Sequence, residues 1–281
     1  LVSIGLPVYN EARHVDAALS ALRAQDHERL EIVVCDNCST DQTLEICRRH
    51  ADADPRVRLL ASDTNLGASE NFLRAAQSAS GEYFMWASGH DLWQPNFVSE
   101  CLRLLVQRPE AVLAHAEAVW IGPQGEPLAH CSGWSDTRGM AAIGRFFTVL
   151  WGSMNPILGL IRLSALRECS PLKPIVGGDL VLLSELALRG EFLHARSTHW
   201  YRRELRNEAG HGQKVKRYVS PQFGVARSLV ARRFPMLSLP WALVGVVLRS
   251  SLSALDKALV LLALPATLLL RFVVGRRGQR G

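Results

Sequence analysis

The sequence predicts an α/β protein: a largely parallel sheet flanked by helices, followed by a helical, apolar C-terminal appendage. Three observations carry this. Through residues 1–120, short apolar runs alternate with segments of helical periodicity, at the spacing of βαβ units. No internal repeat or low-complexity stretch interrupts the alternation. Past about residue 213 the pattern gives way to long apolar runs. A chain of 281 residues holds one large α/β domain plus an appendage, or two small domains.

Leu1–Tyr9 reads as a buried strand, and His14–Gln25 as a helix with Val15, Ala18, Leu19 and Leu22 on one face. Leu30–Cys35 is a second strand, rich in Ile and Val. Ser39 and Asp41 read as helix caps before Thr43–His50. Val57–Ala61 is the third strand, Gly67–Ala79 a helix and Glu82–Ala87 the fourth strand. Pro95–Gln107 is a helix opened by proline. Val112–Trp120 is a further strand before a turn at Gly122–Pro127. Ile157–Arg162 is strand-like, Gly178–Arg189 helical and Glu191–Tyr201 extended. Pro221–Phe234 reads as a basic amphipathic helix. Leu237–Leu248 and Ala258–Val274 are apolar runs broken by Pro240, Pro265 and Arg271.

The apolar fraction of 48% and the charged fraction of 21% are ordinary for a globular chain and argue against disorder. A formal net charge of +6 suits anionic ligands: nucleotides, phosphorylated lipids or an acidic membrane surface. No basic-aromatic stripe is present, so nucleic acid is not an expected partner. The absence of G-x-G-x-x-G after the first strand disfavours a dinucleotide-binding domain. The six cysteines are scattered, and Cys35-x-x-Cys38 has no second pair to complete a zinc site. They are expected to be reduced, in a cytoplasmic protein.

In open α/β sheets, ligands bind beyond the carboxyl ends of the strands. Those positions here are Tyr9-Asn10-Glu11, Asp36-Asn37, Asp63 to Asn65 and Ser88 to Asp91. Their acidic groups suggest a polar cleft that handles metal or phosphate.

Four ordered motifs across about residues 1–105 carry a family resemblance. They are Val2-Ser3-Ile4-Gly5-Leu6-Pro7-Val8-Tyr9-Asn10-Glu11; Asp36-Asn37-Cys38-Ser39-Thr40-Asp41-Gln42-Thr43; Asn65-Leu66-Gly67; and Gly81-Glu82-Tyr83-Phe84. In this order the chain resembles family 2 glycosyltransferases. The resemblance implies a GT-A-like fold, a mixed and mostly parallel sheet flanked by helices. It implies inverting transfer of a sugar from a nucleotide-diphosphate donor to a hydroxyl on a glycan or lipid-linked acceptor. Pro7, Tyr9 and Glu11 would line the nucleotide pocket, Asp36 would accept a hydrogen bond from the base, and Asn65 and Gly67 would complete the donor site. The residue types agree: a strand-end carboxylate can accept a base N–H, Tyr9 offers a flat face, and Gly67 allows an anion to approach a helix start.

The family usually places Asp-x-Asp at the end of the fourth strand. Here Ser88 and His90 stand at those two positions and Asp91 follows. Asp91 and His90 are the expected holders of a divalent cation, Mn²⁺ more readily than Mg²⁺. A second reading has His90 hydrogen-bonding the diphosphate without a metal. Gly177-Gly178-Asp179 resembles the start of the family's acceptor-side helix, which makes Asp179 the general base; a helix cap accounts for the same aspartate. Arg202 or Arg203 is expected near the diphosphate.

The expected organisation is a catalytic domain over residues 1–212, with a nucleotide-sugar half (1–110) and an acceptor half (111–212), followed by a helical region over 213–281. Residues 237–281 are too short in their apolar runs for comfortable spans, and read either as a surface contact with the inner face of the cell membrane or as a helical subdomain packed on the core. Two rival functions follow from the same residues. A non-catalytic nucleotide-sugar binder is favoured by Ser88 and His90. A nucleotidyltransferase would need a Gly-rich basic loop where Asn10-Glu11-Ala12 stands.

Overall fold

The computed structural model describes residues 1–130, 136–205 and 237–277, with side chains described as far as Arg271. The predicted helix Pro221–Phe234 lies outside these residues.

The first half follows the predicted alternation: β1 (Val2–Val8), α1 (Val15–Arg23), β2 (Leu30–Asp36), α2 (Thr43–Ala53), β3 (Val57–Ala61), α3 (Ala68–Gln77) and β4 (Tyr83–Trp86). A two-residue strand, β5 (Leu92–Trp93), precedes α4 (Phe97–Gln107) and β6 (Ala111–Ile121). Then come α5 (Ala142–Trp151), a 3₁₀ turn at Asn155–Leu158, β7 (Leu160–Arg162), α6 (Leu163–Arg167), α7 (Gly178–Arg189) and β8 (Glu191–Arg203). Helices α8 (Ser238–Arg249) and α9 (Ala254–Arg277) follow.

The strands form one eight-stranded sheet in the order β3-β2-β1-β4-β7-β6-β8-β5. β1 pairs in parallel with β2 and β4, β2 with β3, and β6 with β8, while β7 runs antiparallel to both β4 and β6. The predicted mixed, mostly parallel GT-A-like sheet is the one observed. Ile157–Arg162, predicted as one strand, divides into a turn and β7; Pro156 opens the turn and cannot donate to a ladder.

Alternation along the strands divides the core. Ile4, Leu6 and Val8 face α1, α2 and α4, meeting Leu19, Leu22, Ile46 and Phe97. Val33, Phe84, Trp86 and Phe192 face the other way, onto Leu183 and Leu186 of α7. The far side of α7, through Leu180, Val181 and Leu188, is covered by α5, α8 and α9. That double coverage accounts for a helix apolar on every side.

Two expectations about the appendage change. Pro240 sits in the first turn of α8, where backbone N–H groups have no helical partner, and Pro265 lies inside an unbroken α9. Arg271 turns inward: its guanidinium donates to the carbonyls of Leu150 and Gly152 (3.1 Å for Gly152), at the C-terminus of α5. Among the described residues, no helix is long and apolar enough to cross a membrane.

Candidate active site

The carboxyl ends of β1 and β2 lie side by side, with Val8 opposite Asp36. Past them each chain passes through one left-handed residue, Asn10 (φ 54°) and Cys38 (φ 61°). Such conformations cost of order 1 kcal/mol or more in non-glycine residues and persist where neighbours hold them. Here the neighbours are the two loops themselves. Asn10 N–H donates to Ser39 Oγ (3.1 Å), Thr40 N–H to Asn10 Oδ1 (2.8 Å), Glu11 N–H to Thr43 Oγ1 (2.7 Å) and Ala12 N–H to Asp41 (3.2 Å). The predicted cap role of Ser39 is therefore corrected: its hydroxyl holds the β1 loop. Asp41 does both jobs, also accepting the Thr43 N–H at the start of α2 (3.0 Å).

Asp36 ends β2 with none of its surface exposed. One carboxylate oxygen accepts the Ser39 N–H (3.1 Å); the other, Oδ1, is buried without a hydrogen-bond partner. An orphaned buried acceptor costs about 1–3 kcal/mol unless a ligand supplies the donor. On the β1 loop beside it, Tyr9 is exposed and Pro7 half-buried. Asn65 accepts from Asn37 Nδ2 (2.9 Å) and from Gly67 N–H (2.9 Å), bracing the β3 loop on the β2 loop. Gly67 precedes α3 at φ 85°, a conformation that glycine supplies without strain.

The loop after β4 carries the second group. His90 Nε2 is 3.0 Å from Ser88 Oγ, and Nδ1 is 2.9 Å from Glu11 Oε1. Asp91 is buried and accepts the Arg203 N–H (2.8 Å). Burial pushes its carboxyl above the usual range, partly opposed by His90, the Arg203 N–H and Arg202.

Asp179 stands in the first turn of α7, behind Gly177 at φ 84°. The cap position falls on Gly177, so Asp179 is an acidic residue inside the first turn and not the cap itself. It keeps some open surface, yet protein surrounds it closely enough that burial raises its carboxyl, and Arg202 opposes that rise. Arg202 thus lies within electrostatic reach of Asp91 and Asp179 alike. Its guanidinium stacks 4.6 Å over the Trp120 ring and donates to Asn155 Oδ1. Arg203 is spent on structure, donating to the carbonyls of His90 (2.9 Å), Gly122 (3.1 Å) and Pro123 (3.2 Å).

Among the described residues, no three His, Cys, Asp or Glu side chains gather into a metal cage. As a direct ligand His90 would have to release Ser88 or Glu11. Asp91 alone suits a cation that draws its other ligands from a diphosphate and water, the usual habit of Mg²⁺ and related hard ions.

Sequence reasoning missed His14, Trp120 and Asn155. His14 Nε2 is buried without a partner, and its imidazole is held toward the neutral form, first by burial and then by Arg203. No local signal marks these residues, because each gains its place only when distant strands meet. The cysteines described (Cys35, Cys38, Cys47, Cys101 and Cys169) are free thiols, and burial pushes Cys35 up to about 11.

The sheet order and its flanking helices define the fold of GT-A glycosyltransferases. The S. aureus protein TarS, residues 1–349 in complex with UDP-GlcNAc, superposes with a TM-score of 0.68 at 16% identity, over 92% of this chain and 70% of that one. The mannosyltransferase PcManGT from Pyrobaculum calidifontis, in complex with GDP-Man and Mn²⁺, superposes with a TM-score of 0.57 at 19% identity, over 96% of this chain and 80% of that one. The chain belongs to glycosyl transferase family 2, whose family model matches residues 3–149. It is 28% identical over 136 residues to the chondroitin synthase of Pasteurella multocida (strain Pm70), covering 48% of this chain and 14% of that protein. The chain spans about half the length, or less, of the curated relatives it matches.

Proposed function

We propose that the protein is an inverting glycosyltransferase that moves a sugar from a nucleoside-diphosphate donor to a hydroxyl acceptor, in the synthesis of a cell-surface glycan. The observation that carries this reading is Asp36 Oδ1, a buried acceptor without a partner at the end of β2. A base N–H satisfies it. Tyr9 and Pro7 border the base, and the start of α3 at Gly67 offers backbone N–H groups to the diphosphate. Neighbours of the same fold were solved with UDP-GlcNAc and with GDP-Man and Mn²⁺, which supports the donor class and the cation.

Asp91 is the anchoring carboxylate for a divalent cation. Such a cation would neutralise charge on the departing nucleoside diphosphate. His90, paired to Glu11, offers a further hydrogen-bonding or charged group to the same phosphates. Asp179 takes the proton of the acceptor hydroxyl while that oxygen bonds to the anomeric carbon. The carbon–oxygen bond to the diphosphate breaks on the opposite face, its electron pair leaves with the nucleoside diphosphate, and the anomeric carbon inverts. Burial raises the Asp179 carboxyl and so strengthens it as a base, and Arg202 opposes that rise.

The second reading, nucleotide-sugar binding without turnover, is favoured by Ser88 and His90 in place of the two aspartates. Calorimetry with UDP, GDP and dTDP, each with Mn²⁺, Mg²⁺ or chelator, separates these. Metal-dependent binding of one nucleotide that disappears in Asp91→Ala is the expected result, with hydrolysis or transfer of the matching nucleotide sugar. Binding without any turnover would favour the second reading; no binding of any nucleotide would remove both.

A further inference from the structure

The outer face of α9 is apolar although nothing in the described chain covers it. Val260, Leu264 and Leu268 point inward and are buried, which accounts for one side of the helix. On the opposite side Leu255, Leu259, Leu262, Ala266 and Leu269 form a second row, exposed throughout; Leu255 is 70% and Leu262 79% exposed. The row is about 21 Å long at the helical rise per residue. On the neighbouring α8, Trp241 is exposed as well, at 75%. An apolar stripe of this extent marks an interaction surface rather than scattered surface leucines.

Charge chooses the partner. The sequence from residue 237 onward carries Arg249, Lys257, Arg271, Arg276, Arg277 and Arg280, and Asp256 is the one acid. A second copy would bring together two segments of the same net positive charge, which opposes self-association. An anionic lipid surface satisfies both features, taking the leucines into the acyl boundary and the cations at the headgroups. An exposed tryptophan suits the interface between headgroup and acyl chain.

We infer that α8 and α9 dock the protein on an anionic membrane surface, lying in its plane. The hairpin is joined rigidly to the site. Leu239, Leu243 and Val247 of α8 share one core with Leu180 and Val181 of α7. Leu239 also packs within van der Waals reach of Gly177, two residues before Asp179. Docking the hairpin therefore sets the height of Asp179 above the bilayer. The inference does not rest on the base role proposed for Asp179.

The test is co-sedimentation of the full chain with vesicles of phosphatidylcholine alone or mixed with phosphatidylglycerol, for wild type, Leu262→Gln and Trp241→Ser. Nucleotide calorimetry and a melting curve accompany each protein. The expected result is binding to the anionic vesicles only, weakened by salt. Leu262→Gln should reduce it about tenfold or more, with nucleotide affinity unchanged. Leu255→Gln, at the far end of the row, separates lost docking from lost folding. Absence of vesicle binding by a protein that still binds nucleotide overturns the inference and leaves the donor site standing. A dimer in light scattering that Leu262→Gln dissociates overturns it too, since a second copy would then cover the face. Vesicle binding by a protein that binds no nucleotide would support docking while removing the transferase reading.

Discussion

The Arg203 backbone N–H donates to the Asp91 carboxylate at 2.8 Å, tying the last residue of β8 to the loop after β4. Because Arg202 immediately precedes Arg203 on β8, this bond also fixes the strand end that carries Arg202 near Asp91, the carboxylate proposed to anchor a cation. Asp91→Asn keeps the acceptor for Arg203 and removes only the charge. The expected outcome is a folded protein with about 10²–10³-fold lower kcat and no metal dependence of nucleotide binding, read from steady-state rates and calorimetry.

Asp179→Asn is expected to lower kcat about 10²–10⁴-fold while leaving nucleotide affinity intact. In the wild type, the carboxyl is raised by burial, so the base is lost as pH falls through a value above the usual carboxylate range near ~3.9. The acid limb of kcat against pH should lie in that raised region. The stability sign runs the other way. A raised folded-state pKa favours the fold fully below ~3.9, and that contribution disappears as pH rises through the folded value. At neutral pH the asparagine variant should melt no lower than wild type, and a lower melting temperature would count against burial as the cause.

Arg202→Gln should move that acid limb to higher pH, because its guanidinium is the positive charge that opposes the rise at Asp179. Arg202→Lys keeps the charge but loses the planar stack on Trp120. It should restore the pH limb more than it restores kcat. A pH profile unchanged in Arg202→Gln would remove the electrostatic link.

Asp36→Ala removes the acceptor proposed for the base. The nucleotide dissociation constant should rise about tenfold to a hundredfold, the worth of a hydrogen bond to a charged group, with little change in metal affinity. Calorimetry against the preferred nucleoside diphosphate reads this directly.

Asp54 lies far from the site and tests the scaffold. Its carboxyl is held well below the usual range, first by the hydrogen bonds from Arg56, with Arg23 adding to them. Its contribution is present above ~3.9 and lost as pH falls toward the depressed folded value. Asp54→Asn should destabilise the protein by about 1.5–3 kcal/mol in denaturant unfolding at neutral pH. The gap to wild type should narrow on acidification.

Much of the fold was legible before any coordinates. Val57–Ala61 and Gly178–Arg189 stand where periodicity put them, and the strand ends carrying Tyr9, Asp36 and Asp91 converge at one edge as a parallel sheet requires. Ser39 shows the limit. A serine shortly before a helix looks like a cap, because capping is the local use of that hydroxyl. Here a partner from another strand, Asn10 N–H, takes it instead. Pro265 and Arg271 mislead in the same way. Proline breaks an isolated helix and arginine ends an apolar run, yet packing on α5 and α8 holds α9 continuous and turns Arg271 onto α5 carbonyls.

The sequence by itself determined the family, the α/β alternation and the carboxylates to watch, because motif spacing and apolar periodicity are local properties. Tertiary structure decided which groups are neighbours. It buried one oxygen of Asp36 without a partner, engaged both nitrogens of His90, spent Arg203 on carbonyls and left Arg202 beside two carboxylates. Those outcomes depend on strand order and register, which bring together side chains more than a hundred residues apart and which no window along the chain contains.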